Sequence, residues 1–369
     1  MRSQLTPRRG LTVAAALAAG LTAGLTAAPP AAQADVIDLS GQTVTLVHNA
    51  APGGATGLGA QIAAEAWART MAGSPTMVVQ SVEGGALARG IQHVMNARPD
   101  GRTLGWVAWS GSTRILDPEE LQIPFQDFGI IGGVGGATFF LHARTDIGDG
   151  LETTDDFLNL DSFRFGGFAA RSAAPMRTAG ALDMLGVPWS FVSGFAGDAP
   201  QRAAMERGEL DGFPATAVIY NQQLRDGPIA DGSAIALFYF TGVGEDGNMV
   251  EDPLLPGIEP FDAFYRRVMG EDPSGPIWDM IEFHGRVTDP INWLVVAPPG
   301  TPEGHLDMLR TSFREAMEDP EFLEGAERIF GQRPVISYFE EVQDIVDEIA
   351  NAPEELLDTM RDFISRMER

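Results

Sequence analysis

The chain has no cysteine, and each of its basic residues is arginine, because lysine is absent as well. Without cysteine there is no disulfide, thiol nucleophile, iron–sulfur cluster or cysteine zinc site. Without lysine there is no Walker P-loop, no Schiff base and no pyridoxal phosphate attachment. Positive charge is scarce overall: 25 arginines face 51 acids, for a formal net charge of −26. So acidic a surface disfavours nucleic acid and anionic membranes, since neutralising phosphates needs clustered basic residues. It suits a salt-rich habitat, where molar salt screens self-repulsion over about 3 Å; a GC-rich genome that favours arginine codons is the plainer reading of the arginine usage, and the two are compatible.

Long apolar runs are confined to the N-terminus. There MRSQLTPRRGLTVAAALAAGLTAGLTAAPPAAQA holds three arginines and no acid, then an apolar stretch over 11–28, then small residues ending Ala32-Gln33-Ala34. This reads as a secretory signal over 1–34, cut after Ala34; Pro29-Pro30 and the short, alanine-rich run argue against a membrane anchor. Arg8-Arg9 partly matches a twin-arginine signal, which leaves both export routes open. The remainder exceeds what one hydrophobic core usually organises, so two lobes are expected.

From Thr43 the chain alternates apolar runs with amphipathic segments: TVTLVH, a helix over 56–71, TMVVQSV, a helix over 86–96, and TLGWVAW. That alternation predicts an α/β lobe with a mostly parallel sheet. The glycine-dense GIIGGVGG that follows reads as a flexible connection leading to a strand over 138–143. A second βα series comes next, with helices over 176–185 and 200–207, and SAIALFYF closes it. Crossings near 138–143 and 234–240 would bracket a lobe inserted into the first, giving lobe 1 as 35–137 and 241–369 and lobe 2 as 138–240, joined by a hinge. The chain then runs through an acidic Pro/Gly-rich segment, helices over 262–269 and 276–283, the strand INWLVVAPP and two closing amphipathic helices.

No catalytic constellation assembles. Ser110 lies in Ala-Trp-Ser-Gly-Ser, which lacks the G-x-S-x-G spacing, and no His or Asp is placed for a triad. The five histidines form no metal-binding pair, the acidic segments form no calcium loop, and Gly132, Gly133, Gly135 and Gly136 precede a strand where a dinucleotide fingerprint would open a helix. No metal, no cofactor and no enzymatic activity are therefore expected. What remains are loops at strand C-terminal ends, over 52–56, 109–113, 169–174, 195–200 and 213–216. In open α/β sheets ligands bind there, so loops of two lobes would meet on one cleft. The first loop, Asn49 through Pro52, Gly53, Gly54, Ala55 and Thr56, joins a strand to a helix whose free N–H groups suit an anion. Arg171, beside Ser172, either grips a ligand carboxylate or pairs with a surface acid.

VTLVHNAAPGGATG, ARPDGRTLGWVAWSGST, FAGDAPQRAAMERGELDG and VVAPPGTP, in that order over nearly all of the mature chain, resemble the periplasmic substrate-binding proteins of tripartite tricarboxylate transporters. The resemblance implies a type II periplasmic-binding-protein fold, in which two α/β lobes close on a small organic carboxylate and present it to integral-membrane permease subunits. It also implies a monomer that works in the periplasm without catalysis. Pro52-Gly53-Gly54 looks like one jaw of a carboxylate clamp. Trp109, Ser110 and Gly111 fall in the small polar loop after the third strand, Phe195 precedes the matched Gly197, and Thr216 ends a loop of the second lobe. Asp211 matches the acid of the Gly-Glu-Val-Asp type motif, where it either contacts ligand or fixes the strand end. Departures concern the ligand: His48-Asn49 replace a Pro-aromatic pair, Gly57 stands where Asp is common, and FAARSAAP replaces a glycine-rich Ser/Thr loop. A sensing accessory of a membrane kinase, built on the same fold, is the alternative role.

Overall fold

The computed structural model of the chain describes residues 37–50, 53, 55–84, 87–108, 125–136, 138–195, 197–244 and 247–369. Two six-stranded sheets organise them. The first uses β1 (Thr43–His48), β2 (Thr76–Ser81), β3 (Thr103–Ala108), β4 (Gly129–Gly135), β11 (Trp293–Ala297) and β12 (Val335–Tyr338), ordered β12-β4-β11-β3-β1-β2. β1 lies parallel to β2 and β3, as a βαβ series requires, with α1 (Ala55–Thr70) and α2 (Ala88–Met95) as its crossovers. β11 enters antiparallel between β3 and β4, so the sheet is mixed.

The glycine-dense segment is not a flexible connection. Gly129–Gly135 is strand β4, buried at every position between β11 and β12. Its glycines answer to packing: a Cβ on Gly132 would lie 2.4 Å from Phe313 Cε1, and one on Gly129 would lie 2.5 Å from Leu306 Cδ2. A Cβ on Gly135 would lie 2.3 Å from the backbone of Pro290. β4 ends before Gly136, whose φ of +101° favours glycine.

The second sheet uses β5 (Phe139–Arg144), β6 (Phe163–Gly166), β7 (Trp189–Val192), β8 (Gly212–Thr216), β9 (Ala234–Phe240) and β10 (Glu259–Pro260), ordered β10-β9-β5-β8-β6-β7. β5 and β9, the strands expected at the two crossings, pair antiparallel as neighbours in this sheet. β10 adds a short strand from beyond residue 240, so this sheet recruits chain past SAIALFYF. Helices α3 (Ala173–Met184) and α4 (Asp198–Glu206) follow β6 and β7. α5 (Phe261–Met269) and α6 (Pro276–Thr288) complete the middle of the chain; α6 runs a turn past its expected end and packs on α3. Gly180 permits that approach, since a Cβ there would lie 2.9 Å from Met280.

After β11 the chain forms α7 (Glu303–Met317), α8 (Pro320–Phe330), β12, α9 (Phe339–Ala350) and α10 (Glu354–Met367), where two helices were expected. Left-handed Gly331 ends α8 and lets β12 return to the sheet edge. One apolar cluster runs from Val47, Val107 and Leu294 of the first sheet to Phe163, Phe165 and Leu237 of the second. Among the described residues no helix is long and apolar enough to cross a membrane.

Candidate functional site

A cavity of about 680 Å³ opens between the two sheets, lined by residues from both. Asn49, at the end of β1, is fully buried and ties the first-lobe wall together. Its Oδ1 accepts the Ala108 N–H at 2.8 Å, and its Nδ2 donates to the carbonyls of Leu87 and Ala108 at 3.3 and 3.4 Å. Asn49 therefore lines the cavity with its polar atoms already committed to the scaffold. Thr56, in the first turn of α1, is held differently: its hydroxyl oxygen accepts the indole N–H of Trp293 at 3.0 Å. The hydroxyl proton stays available to an acceptor in the cavity. Trp293 is fixed in turn by stacking on Trp106 at 5.8 Å between ring centroids.

The second lobe contributes two helix starts. Ser172, the N-cap of α3, leaves its hydroxyl out of the cap, and Ala173 and Ala174 follow it on the cavity wall. Gly197, with φ of +126°, opens α4, and Asp198 is its first residue. The first N–H groups of any helix lack intrahelical acceptors and carry partial positive charge. The starts of α1, α3 and α4 thus present three sets of donors to one cavity, from two lobes. That arrangement suits an anion without any cationic side chain.

The charged residues on the described wall are Glu83, Asp198 and Asp289, all acidic. Asp289 is matched by wholly buried Arg177, through two bonds of 3.0 and 2.6 Å. Burial pushes the Asp198 carboxyl up to about 6, which Arg202, the nearby cation, offsets only in part. Apolar surface from Phe139, Phe168, Phe195 and Ile291 fills the rest. The buried histidines stay neutral: burial lowers both His142 and His284 to about 3.

Of the residues singled out from the sequence, Asn49, Ala55, Thr56, Ser172, Phe195 and Gly197 come together around this cavity. Gly53, Arg171, Asp211 and Thr216 are not among its lining residues. The Arg171 side chain lies toward the C-terminal helix, with Nε 3.8 Å from Glu368. Asp211 secures the strand end: its carboxylate accepts the Arg164 N–H at 2.7 Å and lies 3.4 Å from that guanidinium. Thr216 accepts the Ile219 N–H at 3.3 Å and caps the turn after β8. Pro52, Gly54, Trp109, Ser110 and Gly111 lie outside the described residues. Sequence reading missed Trp293, Asn292, Asp289 and Gln201. Gln201 alone carried a local signal, one turn into a helix that opens at a loop already suspected.

No family model matches the sequence, and no curated protein matches it. Solved structures do match. A TctC solute-binding protein from Polaromonas is 17% identical with a TM-score of 0.61, the match covering 88% of this chain and 98% of that one. A Rhodopseudomonas palustris protein solved with adipate is 17% identical, TM-score 0.58, over 86% of this chain and 97% of that one. MatC from the same organism, solved with malate, is 19% identical, TM-score 0.54, over 88% and 97%. The fold is the two-lobed α/β fold of type II periplasmic binding proteins, with the cavity between the lobes.

Proposed function

We propose that this protein is an extracytoplasmic receptor of the tripartite tricarboxylate transporter type. It captures a small organic carboxylate between its lobes and delivers it to integral-membrane permease subunits. The observation that carries this reading is the convergence of the starts of α1, α3 and α4 on one cavity. A carboxylate seated there accepts N–H bonds from Ala55 and Thr56 of one lobe and from Ala173 and Ala174 of the other, with the Thr56 hydroxyl as a further donor. The likeness in fold to proteins solved with malate and adipate supports the same ligand class. The chain is exported by its 1–34 leader and acts as a monomer, without cofactor or turnover. Its lobes close by bending where the chain crosses near Gly136 and Thr241, which excludes water and strengthens the polar contacts inside. The test is thermal unfolding against a panel of mono-, di- and tricarboxylates. A ligand at a hundredfold its dissociation constant adds about 2.7 kcal/mol, an upward shift easily seen. A panel without a single stabilising acid would refute the reading.

A further inference from the structure

We infer that the carboxylate taken by this cavity also carries an ammonium group, held against Asp198 and Gln201; the inference rests on the receptor reading above. The described wall supplies N–H donors at the starts of α1, α3 and α4, and no cationic side chain. On the α4 side, carboxylate and carboxamide acceptors stand beside those donors. Asp198 is half-buried and has no hydrogen-bond or ion-pair partner among the described residues, and Arg202, one turn on, donates to the Gln223 carboxamide. Gln201 is only 5% exposed. Its Nε2 donates to the Gly197 carbonyl at 3.1 Å, which fixes the amide, and its Oε1 is buried without a donor among the described residues. The two acceptors stand three residues apart in one helix and line the same cavity.

Two orphan acceptors in a half-dry wall call for a group with several donors and no lone pair, and an ammonium has three donors. The aromatic surface agrees. A Cβ on Gly166 would lie 3.2 Å from Gln201 Oε1 and 3.3 Å from the Phe195 ring, so the acceptor and the ring both border the bare glycine. An aromatic face attracts a cation and gives nothing to a carboxylate. Burial raises the Asp198 carboxyl toward neutrality, and a bound cation would restore its charge. A dicarboxylate would instead bring a second negative charge to Asp198. The ligand class is therefore a zwitterion of amino-acid type, distinguished from di- and tricarboxylates by one charge.

Matched probes decide it on the full-length protein: succinate, malate and L-aspartate; glutarate and L-glutamate; β-alanine and 4-aminobutyrate. Titration calorimetry is expected to find an amino acid that binds at least tenfold more tightly than its matched dicarboxylate or hydroxy acid. Asp198→Asn should cut that ratio at least tenfold, and Gln201→Met should cut it in the same direction. Ligand-free thermal unfolding identifies any variant that fails to fold, and the wild-type ratio stands without either variant. Binding of the dicarboxylates or hydroxy acids in preference to the amino acids would overturn the inference and leave the receptor reading intact. So would a ratio unchanged in both folded variants. Binding by no probe and by no acid of the wider carboxylate panel would overturn the receptor reading itself, and the inference with it.

Discussion

The Trp293 indole N–H donates to the Thr56 hydroxyl across 3.0 Å, joining β11 to the first turn of α1 at the cavity wall. The bond orients a hydroxyl that can donate onward. Thr56→Val keeps the shape but removes both the acceptor and the donor. Leaving the buried indole N–H unpaired should cost about 1–3 kcal/mol of stability. Ligand affinity should fall about tenfold for one lost hydrogen bond to a charged group. Thr56→Ser should recover most of each loss, as denaturant unfolding and calorimetry on the two variants can check.

The bidentate pair between Arg177 and Asp289 ties α3, behind the second sheet, to the turn that leads into β11 of the first. Arg177 is wholly buried and also lies over the Phe240 ring at 5.5 Å. Arg177→Met leaves Asp289 without its counter-ion, and about 3–5 kcal/mol of stability should be lost. Adding Asp289→Asn should return part of it, because the uncompensated charge is then gone. Urea titrations of the single and double variants measure both effects.

Arg171 is expected to matter little for binding. Its side chain lies 3.8 Å from half-exposed Glu368, away from the cavity wall. Pairs of that kind contribute about 0–1 kcal/mol, so Arg171→Ala should change ligand affinity by less than about 0.5 kcal/mol. A tenfold loss in calorimetry would return the arginine to the site.

Asp198 gives the ligand-free protein a pH signature. Its folded carboxyl titrates at about 6, above the ordinary 3.8. Between those values the unfolded chain has released the proton and the folded chain still holds it, so stability falls as pH rises through the window. The penalty is complete above pH 6 and absent below about 4. The charged group acting on it is Arg202, which opposes the shift; the acids Glu83 and Asp289 line the same cavity. Asp198→Asn should therefore raise the unfolding temperature of the empty protein at pH 8 and leave it nearly unchanged at pH 4. Equal gains at both values would mean that the carboxyl is not desolvated.

Much of this was legible locally. TVTLVH followed by a glycine-rich turn and an alanine-rich helix gives β1 and α1 within a residue or two, because strand and helix periods differ and the turn residues separate them. β4 was illegible for a reason equally physical. Its glycines read as flexibility in isolation, and the groups that require them, Leu306, Phe313 and Pro290, arrive from far along the chain. Gly132→Ala should accordingly destabilise the fold although alanine suits a strand better, since the new methyl meets a ring at 2.4 Å. The site divides the same way. Thr56 and Ser172 sit at turns that sequence marks, whereas Trp293 and Asp289 reach the cavity only because β11 inserts between β3 and β4. Arg171 stood out as a cation beside a suspected loop, but sequence position fixes the loop and not the direction of a long side chain.

The most direct test of the account is calorimetric titration of the protein with the tightest-binding acid of the panel and, separately, with its methyl ester. The account places the carboxylate on the N–H groups at the starts of α1 and α3, and an ester carries no charge for them to hold. It predicts one-to-one, saturable binding of the acid and at least a hundredfold weaker binding of the ester. Equal affinity for acid and ester, or no saturable binding of either, would contradict it.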